Sequence, residues 1–475
     1  MLQRKQIILL VASTAIFFEA LDIAILNLAI PLMQQQFQLD AETIQWVQTV
    51  YVLFYGGFLV IGGKLCDTIG RKTIFLTGAG LFLFTSLGAG LSGSFILLTA
   101  FRALQGLAAA MVMPSALSII TNTFTEPAER NRSISIFSSF AAIGSGCGLA
   151  LGGIVATYLG WQWIFFINVP VISVALIVAY RHIDKDVISK GQRFPDIISS
   201  ILLTLIIVLV SYVVHNLPDF SKNYKLLLSL IAVIVAAWFY FIHRERTQPQ
   251  PLIDLSLFRS TGTITGNIIT VLLGAFFLSY LFLLSLVLQQ NMHFSAAHAG
   301  LLLFPFSMLS FLVSRYVVPA LFKKMSVLQT GILGMCLMLT GSLLLMLSII
   351  NNHSLPLILL SIACVTGSGM SVCYPSLTAL AIRDIPDSQQ GVAAGICTTS
   401  YFIGAGLGLS LLALGMQLLT ATTKLVNHIP VLLVSCFALP GIIWLLWVRK
   451  RIPPGPLKGE IVPASGLQAS KNHKP

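Results

Sequence analysis

Along most of this chain the apolar residues run on rather than alternating with polar ones. Ile197–Val214 and Leu226–Phe241, for example, carry no two-residue period. They belong to a series of apolar runs of ~18–25 residues, the length a helix needs to cross about 30 Å of hydrocarbon. Strands of a membrane barrel would instead alternate over ~10 residues. The pattern predicts membrane-spanning helices near 6–31, 45–66, 73–92, 95–123, 133–158, 163–180, 196–215, 225–243, 262–290, 297–321, 327–349, 355–382, 390–417 and 429–448. An even number of crossings leaves both termini on one side.

Composition excludes a water-soluble fold. Of 475 residues, 56% are hydrophobic and 9% charged, against about 25% charged in soluble domains. The net charge of +12 would point to nucleic acid in a soluble protein, but its distribution gives another account. With both termini cytoplasmic, the cytoplasmic stretches hold 23 of the 28 Lys and Arg residues, as the positive-inside rule demands. Lys222, Lys225 and Lys424 fall on the other side, and Arg102 and Arg315 lie within helices. One helix more or fewer would scramble this asymmetry, so it supports the count as well as the orientation. The first apolar run is too long for a signal peptide and is expected to stay in the protein. The seven cysteines fall in or beside apolar runs without metal spacing and read as small packing residues. An echo of Leu32–Trp46 in Leu288–Leu301 hints at repeated halves, a common plan among secondary transporters.

Ionisable residues inside a membrane are costly and each needs a reason. Among 16 acids only Glu19 and Asp22 lie deep in a helix. Their spacing of three places them on one face, a turn apart. Two such carboxylates in a low dielectric cannot both be comfortably ionised, so one is expected to hold a proton near neutral pH. A carboxyl group that titrates there takes a proton or a cationic substrate in turn, which is a physical basis for antiport. The other reading, an acid fixed by an Arg partner or by hydroxyls, stays open for both. Gly63, Asp67, Gly70, Arg71 and Lys72 cluster at the end of the second helix. Gly63 would permit close helix approach and Gly70 a tight turn, while Asp67 accepts bonds from Arg71 or a helix N-terminus, forming a charged latch. Arg102, Gln105 and Gly106 share the fourth helix; Arg102 either tunes the acids of the first helix or anchors the fold. Gly144, Gly148, Gly152 and Gly153 mark the fifth helix as a close-packing seam that is also able to bend.

Taken together these features resemble the major facilitator superfamily, in its fourteen-helix drug:proton antiporter branch. Leu21-Asp22 through Asn27, Ala29 and Pro31 resembles the branch's first-helix motif, and Gly63 to Lys72 its loop motif. Leu98 to Ala110 is similar to the helix-four motif, Gly144 to Gly153 to the antiporter motif, and Trp161 to Pro170 to the segment that follows. Gly367, Gly369, Pro375, Gln390, Gly391 and Gly395 resemble the second-half pattern. The resemblance implies an all-α integral membrane fold of two six-helix bundles, residues 1–190 and 251–452, with two extra helices in 191–250; the composition of 453–475, rich in Pro, Gly, Ser and Lys, predicts a disordered cytoplasmic tail. It implies alternating access, with Asp22, Arg102 and the Gly144–Gly153 helix coupling and gating. Glu19, Asp22, Asn27 and Gln105 are the candidate lining of the substrate cavity.

This sequence departs from the pattern in places. Leu149 stands where the antiporter motif usually has Pro, and Thr68 where a basic residue is common. Glu19 lies outside the common motif, and no acid lies within the helices of the second half. Arg315 either meets an anionic substrate group or snorkels toward the cytoplasm.

The expectation is a proton-coupled exporter of small lipophilic, cationic or zwitterionic compounds in a bacterial cell (inner) membrane. It would work as a monomer, driven by the proton gradient with no cofactor, metal or nucleic acid. A dedicated exporter or importer of one metabolite or antibiotic is the alternative. An integral-membrane enzyme is disfavoured because the eight histidines are scattered without metal spacing. ATP-driven transport is disfavoured by the lack of a GxxxxGK[ST] phosphate loop. Asp22→Asn is expected to abolish substrate-driven proton flux in proteoliposomes while the protein still inserts; turnover at the wild-type rate would sink the coupling role.

Overall fold

The computed structural model describes residues 2–184, 186, 196–217, 220–249, 251–253, 255–385, 390–419 and 428–450. Among these there is no strand, and fourteen helices are long and apolar enough to cross a membrane. Six come first: α1 (Arg4–Phe37), α2 (Ala41–Ile69), α3 (Arg71–Gly90), α4 (Phe95–Thr123), α5 (Arg132–Tyr158) and α6 (Trp163–His182). Two follow, α7 (Ile197–His215) and α8 (Asn223–Thr247). The last six are α9 (Thr261–Asn291), α10 (Ala296–Lys324), α11 (Val327–Ile350), α12 (Leu355–Ile382), α13 (Val392–Leu418) and α14 (His428–Arg449). The largest departure from the sequence reading is α1, which runs through Pro31 to Phe37. The expected helix ended near residue 31, but helices in a bundle tolerate a proline such as Pro31 where neighbours shield the freed carbonyl.

Local chemistry sets the other ends. Side-chain oxygens of Asp40, Ser94, Asp196, Ser260, Ser295 and Ser326 accept from backbone amides in the first turns of their helices, satisfying donors that would otherwise be orphaned. Ser326 and Gln329 complete a capping box.

The packing repeats. In the first half α1 lies on α5, α2 on α4, and α3 on α4 and α6; in the last, α9 lies on α13, α10 on α12, and α11 on α12 and α14. The halves meet through α5 against α10 and α2 against α13, which are equivalent pairs under the same repeat. Helix α7 packs on both α2 and α13, and α8 packs on α7. Arg244 donates twice to Asp196, at 2.7 and 2.9 Å, closing the α7–α8 hairpin. Burial works against the charge of Asp196, but bonds from Arg244 and Ser199 outweigh it and hold the carboxyl below its usual range. This tie is therefore complete above the ordinary carboxylate pKa and is lost only as pH falls through the lowered one.

One end of the molecule is basic, and there ion pairs join segments of the same half: Arg4 with Asp184, Lys5 with Glu129, and Arg71 with Asp186. The crossing contacts at this end run through α7 and the segment before α9, where Lys64 donates to the Pro251 carbonyl. At the opposite end the halves bond directly and without charge. Ser285 donates to the Asn27 carbonyl (2.6 Å), Gln289 to that of Leu28 (3.2 Å), Gln290 to Gln34 (2.9 Å), and the Ala297 amide to Thr157 (2.9 Å). Gly153 and Gly300 seat against the carbonyls of Ala296 and Leu149, so α5 and α10 touch backbone to backbone. Beyond this seam lies a hollow of about 850 Å³ between the halves, lined by Gln34, Asp40, Glu42, Gln289 and His293 among others.

Gly300→Leu should therefore insert normally but hold the seam open. Overpacking of ~1–3 kcal/mol shifts closure by roughly five- to a hundredfold. With Thr157→Cys and Ala297→Cys in a background without native cysteines, disulfide crosslinking should drop by that factor; unchanged crosslinking would show that the seam does not close the molecule.

Candidate functional site

The first-half spans enclose a polar network. Asp22 of α1 is 1% exposed and Arg102 of α4 is 0% exposed. Arg102 Nη1 donates to Asp22 Oδ2 at 2.6 Å and to Gln105 Oε1 at 2.7 Å, and Nε donates to the Val47 carbonyl at 3.2 Å. The guanidinium lies 4.1 Å from the ring centre of Tyr51 and 5.7 Å from that of Phe165, so aromatic faces add to its stabilisation. Asp22 Oδ1 accepts from Gln105 and Asn168, each at 3.3 Å, and Gln105 also donates to Ser86 at 2.9 Å. Both charges are matched and the carboxylate is surrounded by donors. Of the two roles open for Asp22, this geometry is that of a fixed counter-ion.

Glu19, three residues earlier, is 7% exposed and makes no ion pair with a described residue. Tyr55 of α2 lies beside its carboxyl, and Tyr374 of α12 is nearby. It borders a small hollow of about 20 Å³ walled by Phe18, Phe75, Phe82 and Ile172. Tyr55 leads across the molecule: its ring sits 4.3 Å from that of Phe402 on α13. Glu19 is therefore a buried, unmatched acid one aromatic ring from the junction of the halves.

Asn27 and Gln105 are buried within polar contacts rather than facing open space. Asn27 accepts from Gln48 at 3.1 Å and its side-chain amide bonds back to the Ile23 carbonyl. Its backbone carbonyl receives the Ser285 bond between the halves, so it serves the junction.

The loop cluster is arranged differently from the sequence reading. Asp67 is exposed, and the acceptor for Arg71 is Asp186, at 3.4 Å, which also accepts from the Lys72 amide at 2.9 Å. Arg71 Nε donates to Ser118 at 2.9 Å, and Lys72 Nζ to the carbonyls of Tyr180 and Ile183. Asp186 caps the N-terminus of α3, where an anion is favoured, and Gly70 makes the turn with φ +106°. Close approach falls on Gly62, against the Ala110 carbonyl, whereas a Cβ on Gly63 would make an ordinary 3.8 Å contact with Pro114. The glycines of α5 divide between two partners: Gly144, Gly148 and Gly152 face α1 at Phe17, Leu21 and Ile25, and Gly153 faces α10.

Sequence reasoning missed Asn168, Ser86, Tyr51 and Asp186 as members of these networks. Asn168 had a signal, being a lone amide between apolar runs. Asp186 had none, because its partners lie more than a hundred residues away.

The sequence profile of the Major Facilitator Superfamily matches residues 12–409. The chain belongs to this family of transporters. It is 29% identical over 414 residues to "Multidrug resistance protein Stp" of Mycobacterium tuberculosis, covering 86% of this chain and 76% of that one. It is 30% identical over 398 residues to the "Lincomycin resistance protein" of Streptomyces lincolnensis, covering 82% and 80%. Among solved structures it superposes on a POT family transporter with a TM-score of 0.69 at 14% identity, covering 94% of this chain and 98% of that one, a likeness of fold alone.

Because Asp22 and Arg102 neutralise each other, removing one strands the other. Asp22→Asn and Arg102→Gln should each lower stability by ~3–5 kcal/mol, and the double variant should recover part of that loss. Thermal unfolding of the three variants in detergent checks this; additive losses would show that the pair is not coupled. Any loss of coupling in Asp22→Asn must be compared with this change in stability.

Proposed function

We infer that this transporter exports small lipophilic compounds, cationic or zwitterionic, in exchange for protons, with residues 1–190 and 251–452 as the two bodies that move. The observation that carries this reading is the contrast between the two acids of α1. Asp22 has its counter-charge in Arg102, whereas Glu19 has none and lies beside Tyr55 at the junction of the halves. A carboxyl in that position exchanges a proton for a cationic group without any other partner having to let go. Glu19 is the coupling and cation site, and Asp22 and Arg102 position α1 around it. The relatives named for multidrug and lincomycin resistance support export as the direction.

The distribution of Lys and Arg makes the basic end cytoplasmic. The halves are then bonded on the outer side, which is the state that accepts substrate from the cell or from the inner leaflet. Alternation consists of parting the α5–α10 seam and its amide bonds while the cytoplasmic ends come together. Gly63, Asp67, Gly70, Arg71 and Lys72 lie where that closure would engage them. The proton gradient of the cell membrane is the energy source, and a single chain holds every residue the cycle uses. Because the lincomycin relative is named for one antibiotic, a dedicated exporter is the second reading.

Proteoliposomes with an imposed pH gradient, a pH-sensitive dye and a panel of lipophilic cations test the proposal. Wild type should release protons on substrate addition, and Glu19→Gln should lose the flux at least tenfold with cations while staying folded. Equal loss with neutral compounds would assign Glu19 to coupling alone, and unimpaired flux would remove it from the mechanism. Silence of the wild type with every cation would shift the assignment to the dedicated exporter.

A further inference from the structure

The spans of the second half contain no Asp or Glu at all, yet they hold Arg315. It lies nine residues before Lys324, about 13 Å along the helix, nearly halfway through a core of ~30 Å. Its side chain is exposed and makes no hydrogen bond or ion pair with any described residue. Of the acids in the first-half spans, Glu42 and Asp67 sit at the two ends of α2, and of the two deep in α1 Asp22 is taken by Arg102. A charge at this depth demands a partner, and no described acid pairs with it.

The backbone of α10 decides where Arg315 faces. Ala296, Gly300, Leu303 and Ser307 are buried and recur at helical spacing; Gly300 and Ser307 lie against Leu149 and Gly146 of α5. In an unbroken helix this face continues through 310 or 311 to 314. Val313–Val317 instead form a π-turn, which takes in one extra residue. Its effect is visible in Val313 and Val318, five apart, which belong to one cluster with Val372. The added residue brings Arg315 beside Ser314 onto the line of Gly300 and Ser307. Ser138, eight residues before Gly146 on α5 and so at the same level, is exposed. This register puts Arg315 on the side of α10 that faces α5, toward the basic end of the molecule.

A guanidinium so placed is an anion receptor, because its planar fork matches a carboxylate or phosphate in two parallel bonds. We propose that Arg315 is the anion-binding anchor of the transport cleft, taking the carboxylate or phosphate of an amphoteric substrate whose cationic group goes to Glu19. This rests on the export reading above. It gives the two halves opposite recognition charges, acid on α1 and base on α10, and makes zwitterions the substrates that satisfy both.

The test uses two dyes that differ in one group, a rhodamine with a free carboxylate and its methyl ester. Uptake is measured in proteoliposomes holding the full chain as wild type, Arg315→Gln or Arg315→Lys. Vesicles are made of phosphatidylcholine alone or with phosphatidylglycerol. Arg315→Gln should raise KM for the free acid about tenfold, the scale of one lost charge-assisted bond, and leave the ester unchanged; Arg315→Lys should restore part of the loss. Equal effects on both dyes, or on neither, overturn the proposal. A loss shared by both dyes and confined to phosphatidylglycerol vesicles assigns Arg315 to a lipid headgroup and overturns it too. Wild type that moves only the ester keeps the export reading and removes this one, whereas wild type that moves neither dye removes this one and shifts the export reading to the dedicated exporter.

Discussion

A guanidinium in the middle of a membrane helix has to be given a counter-charge and hydrogen-bond acceptors by the protein, and Arg102 receives them from several helices at once. Asp22 comes from α1, Gln105 from α4 itself and the Val47 carbonyl from α2, with Tyr51 and Phe165 beneath the plane. Asn168 of α6 and Ser86 of α3 complete the shell through Asp22 and Gln105. Five of the six first-half helices are thereby tied to one charge pair. Separating the pair would leave a bare charge in low dielectric, at a cost of several kcal/mol, so these helices move together or not at all. The same pairing leaves Glu19 as the acid in this region whose charge is free to change.

Where charge is spent and where it is withheld follows from what has to move. Ion pairs at the basic end join helices within a half. The bonds that join the halves at the other end are between amides, hydroxyls and carbonyls. Each such neutral bond contributes only ~0.5–1.5 kcal/mol net, because water replaces it when the interface opens. Glycines supply the rest of the seam by letting α5 and α10 approach backbone to backbone, which maximises dispersion contact without a deep interlock. An interface that parts in every cycle is suited by many weak, replaceable contacts, and a body that must stay rigid by few strong ones.

The helices were legible in the sequence because crossing a bilayer imposes a length and forbids polar interruptions, and that constraint is local. Their pairing was legible only through motifs. Asp22, Arg102 and Gln105 stood out as polar residues in apolar runs, and the structure brings all three together. The partner of Arg71 did not stand out, because Asp67 is near in sequence while Asp186 is near in space, and only folding chooses between them. Gly62 and Gly63 are indistinguishable as letters; which one meets Ala110 depends on the rotation of α2. The wide turns were invisible, since no residue type demands them.

Those wide turns separate the halves further. Val287–Asn291, Val313–Val317 and Ala363–Gly369 are all in the second half, and among the described residues the first half has none. A π-turn weakens the regular i to i−4 ladder and marks places where a helix bends or rotates its face. The half clamped by the buried ion pair holds the acids that lie deep in its spans, and the half whose spans lack acids holds the pliable helices. Repeated packing gives the two halves the same scaffold, so this difference arises from side chains and local backbone rather than topology. Tyr55, beside Glu19, is thus one ring contact, with Phe402, away from the body whose helices carry the wide turns.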